Sequence, residues 1–292
     1  MKIFSLLWLE FRRLLRSPLT WLIMGLTILS PVMGLFLYQP AETTTLGTYL
    51  ANPSLAAGIF SSLLFAFLTI WEWDRIKRGQ MEPLLYSIIS PLTASYIHLL
   101  SLIGTAALTW GITTAIWMPF TMMTSGSVFD GLTYFLCYLL FMGMAMPISI
   151  LLSSAVYQFT RRMDLSIVIL AALSGLSLTI WKDNWQLCWL NPCVWAISDD
   201  FTNFRIFRSV AYMRFYLDHG CNSNLALVLS VYPAIWKRTC GIHAIQQPPL
   251  LASYDYCLPF CIFCGIFYTS PSHFWITAIQ ICLPQPFTKF LT

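Results

Sequence analysis

This chain predicts an all-α, polytopic bundle of membrane-spanning helices, and three observations carry that expectation. Apolar runs of about 20 residues recur along it, the length needed to cross roughly 30 Å of hydrocarbon. Charge is scarce: Asp, Glu, Lys and Arg supply 10% of the 292 residues, against 58% hydrophobic. A soluble domain devotes about a quarter of its residues to charge. The basic residues lie in short clusters between the apolar runs, and the clusters alternate along the chain. A net charge of +4 spread in that way reads as membrane topology and predicts no nucleic-acid partner.

Ile3 to Arg16 carry the 3.6-residue period of an amphipathic helix. Phe4, Leu7, Trp8, Phe11, Leu14 and Leu15 share one face; Lys2, Ser5, Arg12, Arg13 and Arg16 share the other, with Leu9 intruding. A helix with an apolar face and a basic polar side is expected to lie in the membrane interface, its apolar face in the lipid bilayer. Ser17-Pro18 then breaks it and turns the chain inward. A cleavable signal has a short basic start, an apolar core of about 7–15 residues and a small-x-small cleavage site. Here the basic start and the apolar run are both too long, and Gln39-Pro40-Ala41 is a poor site, so the first span reads as uncleaved.

Five spans are predicted: Leu19–Tyr38, Leu55–Trp71, Tyr96–Phe120, Leu132–Tyr157 and Leu165–Ile180. Gln39–Pro53 reads as a polar loop and Thr121–Asp130 as a short one, neither with Lys or Arg. Basic residues number four at the amino end, none in the first loop, three in the second, none in the third and two, Arg161 and Arg162, in the fourth. The positive-inside rule therefore puts the amino end and the Arg75 and Arg161 turns in the cytoplasm. Lys182–Phe215 follows on the outside, where Trp181, Trp185, Trp189 and Trp195 suggest short helices lying aromatic side down. Asp199-Asp200 reads as the cap of the helix after it.

Residues 216–292 change composition. Six of the nine cysteines fall there, with Gln246-Gln247-Pro248-Pro249 and no clear helical or strand period. Leu225–Trp236 is too short to cross alone, and Leu250–Tyr268 carries Asp255, flanked and interrupted by Pro249 and Pro259. The sequence predicts that this tail is not a natural continuation, and suggests a shifted reading frame as its origin.

The spans hold no ionisable side chain away from their ends; His98 stands at the start of the third. Ion-driven carriers keep such groups at membrane depth to bind the coupling ion. No G-x-x-x-x-G-K-[ST] phosphate loop occurs either. Transport against a gradient would need energy from another chain. Cys188 and Cys193 lie outside, where a disulfide can form, at a spacing that diagnoses nothing. Cys240-x-x-His243 and Cys261-x-x-Cys264 can be written as a zinc site, but the second pair sits in an apolar aromatic run, and no metal or cofactor is predicted. No nucleophile elbow, H-E-x-x-H or pair of membrane carboxylates points to an enzyme. Gly143-Met-Ala145-Met-Pro147 and Ala171-x-x-x-Gly175 put small residues at helical spacing, read as packing within one subunit, with Pro147 kinking the fourth span. Trp110, Trp117 and the threonines of the third span read as packing and anchoring groups.

Trp71 to His98 holds one of the few charge clusters, between two apolar spans. Asp74, Arg75, Lys77 and Arg78 follow the second span as the start of a cytoplasmic loop, and Gly79 permits a tight turn. Pro83 suits the first turn of a short helix and Glu82 its positive end. Leu84, Leu85, Ile88 and Ile89 then offer an apolar face before the Ser90-Pro91 break. A solvated positive-inside loop lying on the membrane is the plainer alternative.

With its amphipathic start, its span order and the series Asp74-Arg75, Gly79, Glu82, Leu84-Leu85 and Ser90-Pro91, residues 1–215 resemble the permease subunits of type-2 ABC transporters. Lys77 stands where the family commonly has an acidic residue, and Gln80 where it commonly has threonine. The resemblance implies six spans, a bacterial cytoplasmic (inner) membrane and two permease copies as a homodimer or heterodimer. It also implies a separate ATPase subunit that docks on the 74–91 loop. Export driven by that ATPase is the expected function; a scaffold or accessory subunit of a secretion or assembly complex is the alternative. A passive channel would need a polar or charged pore stripe, and none is read.

Overall fold

The structure is a computed structural model that describes residues 2–37, 45–79, 91–180, 189–190 and 207–221. The chain divides into two units, Met1–Trp236 and Lys237–Thr292, and every described residue belongs to the first. Regular structure among the described residues is entirely helical. Four stretches are long and apolar enough to cross a membrane: Pro18–Phe36, Gly47–Arg78, Thr93–Val128 and Gly131–Thr160.

Helix α1 (Lys2–Leu15) is separated from α2 (Pro18–Leu29) by an elbow at Ser17. A residue before proline is pushed to extended backbone, and proline's fixed φ suits a first helical turn. Ser17 accordingly sits at φ −74°, ψ 125°. The same logic makes a jog between α2 and α3 (Pro31–Phe36). Pro31 has no N–H for the Thr27 carbonyl; Ser30 serves it instead, through its backbone N–H at 3.2 Å and its hydroxyl at 2.6 Å.

Helix α4 (Asn52–Arg78) starts within the expected polar loop, behind a π turn at Gly47–Ala51. Part of Gln39–Pro53 is thus a buried helical segment, which corrects the loop reading. Asn52 donates its backbone N–H to the Gly47 carbonyl, five residues back, a widening that accommodates the ring of Pro53. Burial has a steric origin too: a Cβ on Gly34 would fall 2.6 Å from Pro53 Cα and against the Asn52 carbonyl. Only a glycine lets α3 come so near.

Helix α5 (Pro91–Ser125) begins before and ends beyond the predicted third span. A 3-10 turn at Gly126–Val128 follows, with Gly126 at φ 55°. Most of the expected Thr121–Asp130 loop is therefore helix. Asp130 caps α6 (Gly131–Cys137), accepting from the Leu132 and Thr133 backbone N–H groups and the Thr133 hydroxyl. Those bonds hold its carboxyl below the usual range.

A π turn at Tyr138–Gly143 joins α6 to α7 (Ala145–Thr160). Pro147 cannot donate to the Gly143 carbonyl, and the irregularity lies in the turn just ahead of it, where the Met144 N–H reaches back to Leu139 at 2.9 Å. Two close contacts form there. A Cβ on Gly58 would strike the Phe141 carbonyl, with the Phe141 carbonyl carbon at 2.9 Å, and one on Gly143 would stand 3.1 Å from the Trp110 indole nitrogen.

Helix α8 (Met163–Leu178) is shorter than the four long stretches. Its Ala171 and Gly175 are exposed, and a Cβ on Gly175 would meet nothing within 4 Å. The expected packing of this pair inside the subunit is not what the fold uses. Trp189, expected on the outer surface, is 5% exposed and belongs to the core. Helix α9 (207–221) runs unbroken across position 216, where the composition changes. Trp181, Trp185, Cys188, Cys193, Trp195, Asp199, Asp200 and the tail from 222 onward lie outside the described residues.

Side-chain contacts fix an up-and-down order. At one end Trp117 donates its indole N–H to the Ile28 carbonyl at 2.9 Å, and the Tyr134 hydroxyl donates to the Thr114 carbonyl at 2.7 Å. At the opposite end α1, the last turns of α4, the start of α5 and the last turns of α7 meet. Helix α4 touches α2, α3, α7 and α8 and forms the centre. Along α5, Ser101, Thr105, Thr109 and Thr113 make a buried stripe, each hydroxyl donating to a carbonyl three or four residues back at 2.7–2.9 Å. These hydroxyls are satisfied within their own helix.

Candidate functional site

The last two turns of α4 concentrate the charge of the described bundle. Glu72 is fully buried, and a carboxylate there must be paired or neutralised. Its two oxygens accept from Arg13 Nη2 at 2.9 Å and from Arg75 Nη1 at 3.0 Å. Arg13 turns its fork to Glu10 as well, through Nε at 3.0 Å and Nη2 at 2.7 Å. Glu10 Oε1 lies 2.9 Å from Nδ1 of buried His98. An ionised carboxylate only accepts, so that imidazole nitrogen carries the proton. One line of contacts thus runs His98–Glu10–Arg13–Glu72–Arg75 and joins α5 to α1 and α1 to α4.

The opposite side of the same turns grips α7 and α8. Trp73 donates its indole N–H to Ser154 Oγ at 3.2 Å, and its ring meets His98 edge-on at 4.9 Å. Asp74 accepts from the Tyr157 hydroxyl at 3.2 Å and from Arg78 at 2.5 Å. Lys77 donates to the Arg161 carbonyl at 2.5 Å. Arg161 ends α7 in a left-handed conformation at φ 54°, its N–H bonded to the Tyr157 carbonyl. The three basic clusters counted in the sequence therefore converge on one end of the bundle.

Burial alone would raise the Glu10 carboxyl. The hydrogen bonds and charges of His98 and Arg13 outweigh it and bring the pKa from 4.5 down to about 2. A depressed carboxyl contributes stability that is complete above its unfolded pKa and lost as pH falls through the folded one. The contribution of Glu10 should hold down to about pH 4.5 and vanish towards pH 2. Acid titration of the thermal midpoint in detergent checks this. Glu10→Gln should flatten the profile between those values, and an unchanged acid limb would remove Glu10 from the network's energetics.

Most sequence-predicted positions can be located. Asp74, Arg75, Lys77 and Arg78 belong to the last helical turns of α4 and not to a loop, because the helix outruns its apolar run by seven residues, Glu72–Arg78. Basic residues there also suit the negative end of the helix dipole. Gly79 ends the helix at φ −72°, ψ 1°, a conformation open to any residue, so the turn does not require glycine. Pro91 starts α5. Glu82, Pro83, Leu84, Leu85 and Ser90 lie outside the described residues.

On α1, Phe4 and Trp8 are exposed, Leu7 and Phe11 half-buried and Leu14 buried. The Phe11 ring lies 3.5 Å from where a Cβ on Gly104 would stand. Arg12 and Arg16 are exposed. Arg13, expected beside them on the polar side, is turned inward. Sequence reasoning passed over Glu10 and Glu72. The signal that could have found them is the i,i+3 spacing of Glu10–Arg13 and Glu72–Arg75 on two helices.

Among the described residues no group of three or more His, Cys, Asp or Glu could hold a metal ion. Comparison with protein-family models, curated proteins and solved structures returns no match.

Proposed function

We propose that this chain is the transmembrane permease subunit of an ATP-driven exporter of the type-2 ABC class. It sits in the bacterial cytoplasmic membrane with six spans when complete and its amino terminus in the cytoplasm. Helix α1 lies in the interface as an amphipathic elbow. A separate ATPase subunit docks on the 74–91 segment, and two permease copies form the pathway.

One observation carries this reading: the helical turns that lead into that segment are cross-tied to α1, α5 and α7 by the contacts of Glu72, Trp73, Asp74 and Lys77, and to α8 by Arg78, whose Nη2 lies 3.9 Å from the Met163 sulfur. A force entering at Gly79 reaches four elements together, as a machine driven from outside its own spans requires. Positive charge gathered at that end supports a cytoplasmic location.

Co-purification with the candidate ATPase tests the reading. Changing Gly79 and Glu82 to bulky or uncharged residues should release the ATPase while membrane insertion stays intact. Full binding by both variants would count against docking at this segment. An inserted, folded chain with no associated ATPase would favour the scaffold alternative.

A further inference from the structure

At the elbow between α1 and α2 lies a cleft of about 590 Å³, lined by Leu9, Arg12, Arg13, Arg16, Ser17, Pro18 and Arg75. Four guanidinium groups surround this cleft, two more than its ion-pair network engages. Arg13 and Arg75 are engaged by the two carboxylates Glu10 and Glu72. Arg12 and Arg16 are exposed and add two positive charges that those carboxylates leave unbalanced. The volume falls in the range of about 300–1,000 Å³ usual for small-ligand sites. Planar, multidentate guanidinium is the side chain best matched to phosphate oxygens.

The cleft is polar on one side only. Leu9 and Pro18 line it, and Pro18 opens a helix whose Trp21, Leu22, Leu26 and Leu29 are all exposed. Trp21 is fixed across the elbow, its indole N–H donating to the Leu15 carbonyl at 2.7 Å. A ligand held here by an anionic head would have an apolar helix face alongside for its chains, at the depth where indoles mark the membrane boundary.

We infer that the α1–α2 elbow is a binding site for the phosphate headgroup of an anionic phospholipid, held by Arg12 and Arg16 with Arg13 and Arg75 behind them. The source is the bilayer and not a free anion, because the apolar face continues from the cleft. The site stands whether or not the chain is an exporter, since it depends only on the elbow and the span that follows.

The test uses the full chain in nanodiscs and detergent. Native mass spectrometry and thermal shift are compared for phosphatidylglycerol, phosphatidylcholine and inorganic phosphate. The wild-type chain should retain phosphatidylglycerol selectively. Arg12→Gln and Arg16→Gln, both at exposed positions, should each weaken that retention about fivefold, and the pair about 25-fold, the size expected for headgroup-level charges. Arg162→Gln, an exposed basic residue at the same end of the bundle, should change it little. Equal retention of the two lipids, or equal loss in the Arg162 variant, would overturn the site in favour of diffuse attraction. Saturation by inorganic phosphate without lipid would overturn the bilayer as its source.

Discussion

Replacing Glu72 with alanine is expected to destabilise the bundle by about 1.5–3 kcal/mol, the usual worth of hydrogen bonds to a charged group, because Arg13 keeps Glu10 and Arg75 is partly exposed. Both guanidinium partners, Arg13 and Arg75, lose an acceptor that nothing else in the described structure replaces at that position. The effect should be visible as a lowered thermal midpoint in detergent and as faster proteolysis at the α1–α2 elbow, since Arg13 is the tie between α1 and α4. Arg13→Met combined with Glu72→Met should recover only part of the loss, because the apolar pair packs without charge while Glu10 gives up Arg13 and keeps His98. A neutral Glu72→Ala variant would show that the network is not what fastens α1 to the bundle.

Gly58→Ala should be comparably damaging for a steric reason. The added methyl would strike the Phe141 carbonyl in the π turn, with the carbonyl carbon at 2.9 Å. Backbone cannot swing aside as a side chain can, so α4 and the turn must separate. Overpacking of this kind costs about 1–3 kcal/mol and occasionally more. Gly25→Ala is the matched control: nothing lies within 4 Å of its Cβ, and alanine favours a helix over glycine by up to about 1 kcal/mol. The two variants should shift the thermal midpoint in opposite directions. Equal shifts would mean that α4 and the π turn do not approach as closely as described.

Composition and the spacing of apolar runs were enough to read an all-helical membrane chain, because hydrocarbon tolerates few other backbone arrangements. The grouping of basic clusters at one end was legible too, since loop charge follows topology. Boundaries were less so. Hydropathy drops at Glu72 and at Asn52-Pro53-Ser54, yet both stretches are helical. A paired carboxylate and a glycine-to-backbone contact make burial of polar groups acceptable, and neither leaves a trace in a hydropathy window.

The same limit explains the inward turn of Arg13 and the burial of Trp189. A helical wheel separates polar from apolar faces but cannot see that Glu72 and Glu10 wait on the inner side. A tryptophan in a polar stretch looks interfacial until the core that receives it is known. Ala171 and Gly175 fail in the opposite direction: their spacing suggests a packed seam, while α8 turns that face outward.

The most direct test of the central claim is the side of the membrane on which the end of α4 lies. Gln80→Cys, in a background lacking the nine native cysteines, would be exposed to a membrane-impermeant maleimide. The proposed function expects no labelling in intact cells and full labelling after permeabilisation. Labelling of intact cells would put the segment outside and leave no route for a cytoplasmic ATPase to reach it.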